Sequence, residues 1–160
     1  MPHHTEKFYL TKEGLEKLKK EYRELQKIVQ IKVHEKIPEF FHSEELNPEY
    51  IAYREDNELL QARLADLKYI LKNAELIKTP LKEKQNIVNL GAHVTVELDG
   101  ELDEFTIVGS LETDPANKKI SNESPIGQAL IGKRVGETVI IKTPIVNHSC
   151  KILKIKYNKT

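Results

Sequence analysis

Tryptophan is absent from this chain, and a single cysteine, Cys150, excludes an intramolecular disulfide. A chain of this kind is expected in a reducing compartment. Charge of one sign is missing too: 25 Lys and Arg stand against 25 Asp and Glu. That balance argues against a whole-molecule electrostatic grip on nucleic acid, while leaving room for a local patch. Nowhere do about 20 apolar residues run together as a bilayer span requires. The opening residues, Met1-Pro2-His3-His4-Thr5-Glu6-Lys7, have no apolar stretch of the signal-peptide kind. A cytoplasmic protein without membrane contact is the expectation. No glycine loop suited to phosphates occurs, no cysteine pair suited to zinc, and no local motif joining Ser, His and Asp. The His3-His4 pair is too isolated to suggest a metal site.

What the chain does have is leucine at helical spacing. Leu15, Leu18, Tyr22, Leu25 and Val29 follow one another in steps of three and four, and so do Tyr50, Tyr53, Asn57, Leu60, Leu64, Leu67 and Leu71. Each series is a heptad seam that buries one stripe of a helix against a partner. Two such helices joined by a short loop form an antiparallel hairpin. Thr11 is the expected N-cap of the first, with Leu10 and Leu15 as a hydrophobic staple, although Gly14 stands where a capping box has Glu or Gln. Pro38 should end or kink that helix near Ile37. The second starts with Asn47 as N-cap, Pro48 in the first turn and Glu49 near the positive helix end, and is expected to run to about Ala74. At 1.5 Å per residue each arm is roughly 40 Å long. Asn57 in the apolar seam is read as a register-fixing polar residue.

The spacing changes after Lys78-Thr79-Pro80. Val94, Val96 and Leu98 alternate, Asp99-Gly100 offers a hairpin turn, and Phe105 and Ile107 answer in the next strand. Ser124-Pro125 reads as N-cap and first residue of a short helix over 126–131, stopped by Gly132. Strands are expected over 138–143 and 151–157, with Leu153, Ile155 and Tyr157 sharing a face. The fold class is therefore α+β: an N-terminal antiparallel coiled-coil hairpin over 1–77, a linker over 78–90, and a small α+β domain with an antiparallel sheet over 91–160.

Few residues suggest chemistry. His148 and Cys150 lie two apart and so share a strand face, which fits a metal or thiol role or, more simply, an edge-strand histidine beside a half-buried cysteine. His34 is a helix-surface residue. Glu39, Glu44, Glu45 and Glu49 gather at the hairpin end. Carboxylates are hard oxygen ligands suited to Mg²⁺ when a second molecule supplies the other ligands, and a metal held so can activate water. An ordinary acidic loop explains them equally well.

The stretches Asn47-Pro48-Glu49-Tyr50, Arg54-Glu55 and Asn73-Ala74-Glu75-Leu76-Ile77 carry a wider resemblance. So do Ile120-Ser121-Asn122-Glu123-Ser124-Pro125-Ile126-Gly127-Gln128-Ala129-Leu130 and Gly132-Lys133-Arg134-Val135-Gly136-Glu137. Together they make roughly residues 8 to 157 resemble the bacterial Gre transcription elongation factors, of the GreA-like kind. The resemblance implies a partner, bacterial RNA polymerase, whose secondary channel admits the coiled coil while the FKBP-like C-terminal domain holds the rim. It implies no enzyme activity of the factor's own and no cofactor of its own. Tip acids of the family help the polymerase hold its second catalytic Mg²⁺ and cleave the 3′ end of a backtracked transcript. The rim contact maps to Glu123, Ser124, Pro125 and Ile126. Lys32, Lys36 and Arg54 map near the nascent RNA, or form an ordinary mixed-charge helix surface. A monomer is expected.

The tip departs from the family pattern. Where that pattern reads Gly-Asp-Leu-Lys-Glu-Asn, this chain reads His42-Ser43-Glu44-Glu45-Leu46-Asn47. Ser43 and Leu46, at the usual acidic positions, supply no carboxylate. Either Glu44 and Glu45 take over the shared Mg²⁺ contact, or the rod enters the channel as a modulator or inhibitor without stimulating cleavage. A third reading, an unrelated hairpin adaptor, fits the C-terminal similarity poorly.

Overall fold

The computed structural model describes residues 6–35 and 48–158. The chain divides into two compact units, Leu15–Asn73 and Met1–Gly14 with Ala74–Thr160. In this division residues 6–14 group with the C-terminal stretch, whereas the sequence reading takes 1–77 together as the hairpin.

The hairpin unit is built from helix α1 (Lys12–His34), which begins just outside it, and helix α2 (Pro48–Lys72). Two cross-helix contacts give their sense. Arg63 of α2 donates to both carboxylate oxygens of Glu21 on α1, at 2.7 and 3.0 Å, and the Lys32 ammonium lies 5.5 Å from the centre of the Tyr53 ring. Low numbers on one helix meet high numbers on the other, so the helices are antiparallel. Both seams face inward. Leu15, Leu18, Tyr22, Leu25 and Val29 are half-buried, as are Tyr53, Asn57, Leu60, Leu64 and Leu71. Leu67 and Ile70 are fully or almost fully buried. Tyr50, the outermost residue of the second series, is exposed. Pro48 is the first residue of α2, where its missing N–H costs nothing. The helix stops sooner than its spacing suggests. The Asn73 side chain donates to the Tyr69 carbonyl at 2.9 Å and its N–H closes the last turn onto Ile70.

The second unit opens with a two-stranded parallel sheet that periodicity does not reveal. Strand β1 (Phe8–Leu10) pairs with strand β2 (Ala74–Leu76), Phe8 opposite Ala74 and Leu10 opposite Leu76. The rest is a five-stranded sheet with one short helix. Its strands are β3 (Ala92–Leu98), β4 (Glu101–Val108), β5 (Lys119–Ser121), β6 (Thr138–Lys142) and β7 (Asn147–Tyr157), in the order β5-β4-β3-β7-β6. The α+β class holds, but the sheet is mixed: β5 runs parallel to β4, and the other pairings are antiparallel. Asp99 and Gly100 make the β3–β4 turn with φ of 50° and 87°. Two positive φ values are what a tight hairpin with right-handed strand twist requires.

Val94, Val96, Phe105, Ile107, Ile141, Cys150 and Ile152 point from the sheet into one core, which Leu130 of helix α3 (Pro125–Leu130) covers. Strand β7 carries a bulge: Thr95 faces Lys154 whereas Val96 faces Ile152. The extra residue, Leu153, shifts the inward phase from Cys150 and Ile152 to Ile155 and Tyr157. Because β7 lies between β3 and β6, His148 is not on an edge strand, and Cys150 is fully buried, not half-buried. The stretch expected as linker is anchored at its end. Val88 is fully buried and its N–H donates to the Lys133 carbonyl at 2.8 Å. Tyr157 reaches back to the same stretch, its hydroxyl donating to the Ile87 carbonyl at 2.5 Å and accepting from the Asn89 N–H at 2.9 Å. Burial raises that phenol above its usual range, outweighing the Asn89 bond.

Candidate functional site

The segment leading into α3 is a shelf with two kinds of residue. Ser124 is its N-cap: the hydroxyl accepts from the Gly127 N–H at 3.0 Å and donates to the Ser121 carbonyl at 2.7 Å. Pro125 is the first helical residue. Gly127 is there for space, since a Cβ at that position would stand 2.0 Å from the Ser121 carbonyl oxygen. Ile126 packs against the core. Ser124 and Ile126 are thus occupied in holding the shelf together. Glu123 and Pro125 are the members exposed to solvent.

Glu123 is exposed but held. Its carboxylate accepts from the Ser110 hydroxyl at 2.8 Å, and its N–H donates to the Ser121 hydroxyl at 3.0 Å. The two serine oxygens are 3.3 Å apart. Ser110 opens a 3-10 turn, Ser110–Glu112, whose middle residue Leu111 is 46% exposed. The result is a fixed negative charge with a proline ring and an exposed leucine on the same unit. That chemistry suits docking onto a surface that offers a cation and apolar groups. Ser110 and Leu111 escape sequence reasoning because Ser110 lies 13 positions from the carboxylate it holds. A serine before a turn gives no local sign of such a partner.

The other end of the same turn meets Thr11, the residue before α1. Glu112 accepts from the Thr11 N–H at 2.6 Å and from the Thr11 hydroxyl at 2.5 Å, while the Thr11 hydroxyl accepts from the Gly14 N–H at 3.1 Å. Thr11 is the N-cap that the spacing indicates. The acid missing from its capping box arrives from 101 residues away.

On the hairpin, Lys32 is half-buried over Tyr53, and Arg54 pairs with Glu58 one turn along α2 at 3.6 Å. Two of the three expected RNA-proximal cations, Lys32 and Arg54, therefore have partners within the hairpin. Lys36, Ser43, Glu44, Glu45 and Leu46 lie outside the described residues, as do Glu39 and Asn47. Among the described residues no group of three His, Cys, Asp or Glu is placed to hold a metal, and no helix is long and apolar enough to cross a membrane.

His148 and Cys150 do not act together. His148 Nδ1 lies 2.6 Å from Asp99 Oδ2, while Cys150 belongs to the core. Hydrogen bonds from His148 and from the Ser149 N–H hold the Asp99 carboxyl below its usual range. Burial pushes the Cys150 thiol up, the opposite of what a reactive cysteine needs.

Comparison with known proteins covers nearly the whole chain. Residues 8–76 match the family described as transcription elongation factor, N-terminal, and residues 83–157 match transcription elongation factor, GreA/GreB, C-term. Transcription elongation factor GreA of Thermomicrobium roseum is 37% identical over 153 residues, covering 94% of this chain and 98% of that protein. The GreA proteins of Geobacillus kaustophilus and Caldanaerobacter subterraneus are 41% and 42% identical, each covering 92% of this chain and 95% and 96% of their own lengths. Among solved structures, GreA factor homolog 1 of Thermus thermophilus is 24% identical, covers 94% of this chain and 99% of that one, and superposes with a TM-score of 0.41.

Proposed function

The chain belongs to the GreA/GreB family of transcription elongation factors, and from that premise we propose that it is an accessory factor of bacterial RNA polymerase. In this reading it enters the secondary channel of stalled or backtracked complexes and stimulates transcript cleavage by the polymerase's own active centre. The observation that supports it most is the family match across both stretches, combined with a shelf at 123–126 whose Glu123 and Pro125 are exposed. Glu123 would meet a cationic group on the polymerase rim, and its bonds to Ser110 and Ser121 fix it beforehand, lowering the ordering cost of docking.

In the segment that joins α1 to α2 in sequence, Glu44 and Glu45 are, in this reading, the carboxylates on offer to the Mg²⁺ that the polymerase holds. The metal supplies Lewis acidity and an activated water, and hard carboxylate oxygens suit it. The factor's own residues contribute charge and position, with nascent RNA as the substrate of the polymerase. Ser43 and Leu46 leave no other acid at the usual tip positions.

Two experiments test the reading. Immobilised polymerase should retain the protein, and Glu123→Ala or Pro125→Ala should weaken retention; no complex at micromolar concentration overturns the docking proposal. Stalled elongation complexes should show shortened RNA with the native chain and less shortening with Glu44→Ala or Glu45→Ala. RNA extension that slows without shortening would instead make the protein a channel-binding modulator.

A further inference from the structure

The solvent face of the five-stranded sheet concentrates positive charge in a chain that has none overall. Strand register sets Lys119, Thr106, His93 and Lys156 side by side across β5, β4, β3 and β7. At about 4.8 Å per strand this row spans roughly 14 Å. The next row places Glu104, Thr95 and Lys154 in line. Two adjoining concavities follow these rows. The first, about 430 Å³, includes Lys118, Lys154 and Lys156. The second, about 360 Å³, adds Lys12, Lys78 and Lys119, and the two share His93 and Thr106.

Acids do little to neutralise this band. Among the described residues, Glu104 is the one carboxylate lining the first concavity and Glu13 the one lining the second. Lys118 is itself paired with Asp103 at 3.1 Å, so the charge of the band rests on the other lysines, Lys119, Lys154 and Lys156 among them. Lys156 holds Lys154 below the usual lysine range, first by hydrogen bonding to its neutral amine and then by its charge, with Glu104 opposing. Like charges are therefore crowded on a rigid sheet, an arrangement that a bound polyanion relieves.

We propose that this face binds the phosphodiester backbone of nucleic acid, without regard to base sequence. Lysines and threonine hydroxyls are groups that contact phosphate, and Lys154, Lys156, Thr95 and Thr106 line the first concavity. A protein partner is the weaker fit. Protein interfaces are depleted in lysine and anchored by aromatic or large apolar groups, and among the described residues none of the exposed large hydrophobic side chains lines either concavity. The site is separate from the shelf at Glu123 and does not depend on polymerase docking.

The test is fluorescence anisotropy of the full chain with a labelled mixed-sequence oligonucleotide, in separate arms of single-stranded RNA, single-stranded DNA and duplex, without polymerase. Binding should weaken steadily as salt rises from about 50 to 200 mM. Lys119→Glu with Lys156→Glu should reduce affinity at low salt by about tenfold or more. Lys82→Glu with Lys133→Glu makes the same change in net charge off the sheet and outside both concavities, and should alter affinity less than about twofold. The milder pair Lys154→Gln with Lys156→Gln repeats the test if the charge reversals disturb folding, checked by circular dichroism. Absence of oligonucleotide binding by the native chain, or equal loss in both reversal pairs, overturns the proposal. Tighter binding of polyglutamate than of any oligonucleotide, dependent on the same lysines, overturns it in favour of an acidic protein segment. Retention on immobilised polymerase, measured separately, should be unchanged by Lys119→Glu with Lys156→Glu.

Discussion

The Glu112 carboxylate accepts both the backbone N–H and the hydroxyl of Thr11, and occupies the space that a side chain on Gly14 would need: a Cβ there would lie 2.2 Å from Glu112 Oε1. The glycine at the third helical position and the distant glutamate are two halves of one cap.

This coupling predicts a change of sign. Glu112→Ala should cost about 1–2 kcal/mol, because the Thr11 N–H loses its acceptor. Gly14→Ala in the native background displaces the Glu112 carboxylate and gains only the better helix propensity of alanine, so it should be neutral or destabilising. With Glu112→Ala already present, Gly14→Ala should stabilise by up to about 1 kcal/mol. Urea denaturation of all four proteins measures the cycle, and additive effects would refute the shared cap.

Gly127→Ala should destabilise by about 1–3 kcal/mol. Its Cβ would collide with the Ser121 carbonyl oxygen, a backbone atom already fixed by the Ser124 hydroxyl and N–H. Thermal melts test this, and a variant as stable as the native chain would mean that the shelf yields more easily than its bonding suggests.

Ser110→Ala should leave the fold intact and weaken retention on polymerase by roughly 2- to 10-fold, the worth of one hydrogen bond that positions Glu123. The same substitution combined with Glu123→Ala should add nothing further. A full additional loss in the double variant would show that Ser110 acts by another route.

Asp99 gives the C-terminal unit an acid-sensitive turn. Its folded-state pKa is depressed by His148 and by the Ser149 N–H. Its contribution to stability is therefore present above the unfolded-state value of about 3.9 and is lost as pH falls through the lower folded value. An NMR titration of the Asp99 carboxyl should find a midpoint below the ordinary aspartate range. Asp99→Asn should flatten the dependence of stability on pH in that acid window.

Cys150 should be unreactive in the native protein and react with a thiol reagent on unfolding, because it is fully buried and its pKa is raised. A reaction rate in native buffer equal to that in denaturant would place the thiol at the surface.

The parts legible in the sequence are those specified locally. The seam residues from Leu15 to Val29 announce a helix by their own spacing, Ser124-Pro125 announces a cap, and Asp99-Gly100 announces a turn. The parts that were not legible depend on partners distant in the chain. Phe8–Leu10 and Ala74–Leu76 are too short to show a period and become strands only by pairing with each other. The bulge at Leu153 leaves a local mark, the adjacent apolar pair Ile152-Leu153 that breaks the alternation, but its place opposite Thr95 and Val96 is set by the pairing with β3. Of the candidate site, Glu123 to Ile126 could be read from the resemblance, whereas the serines that hold Glu123 and the lysine rows across the sheet emerge only from strand register.

Strand β7 comes last among the strands in chain order yet lies inside the sheet, and β6 is joined to the others only through it. On the ribosome, then, β3 and β4 can form their hairpin early, but β6 has nothing to pair with until the bulged strand emerges. Completion of this half of the molecule thus waits for β7 to emerge. Substitutions that delay β7 pairing should expose the unfinished edge of β3 to aggregation in the cell more than they lower the stability of the finished protein.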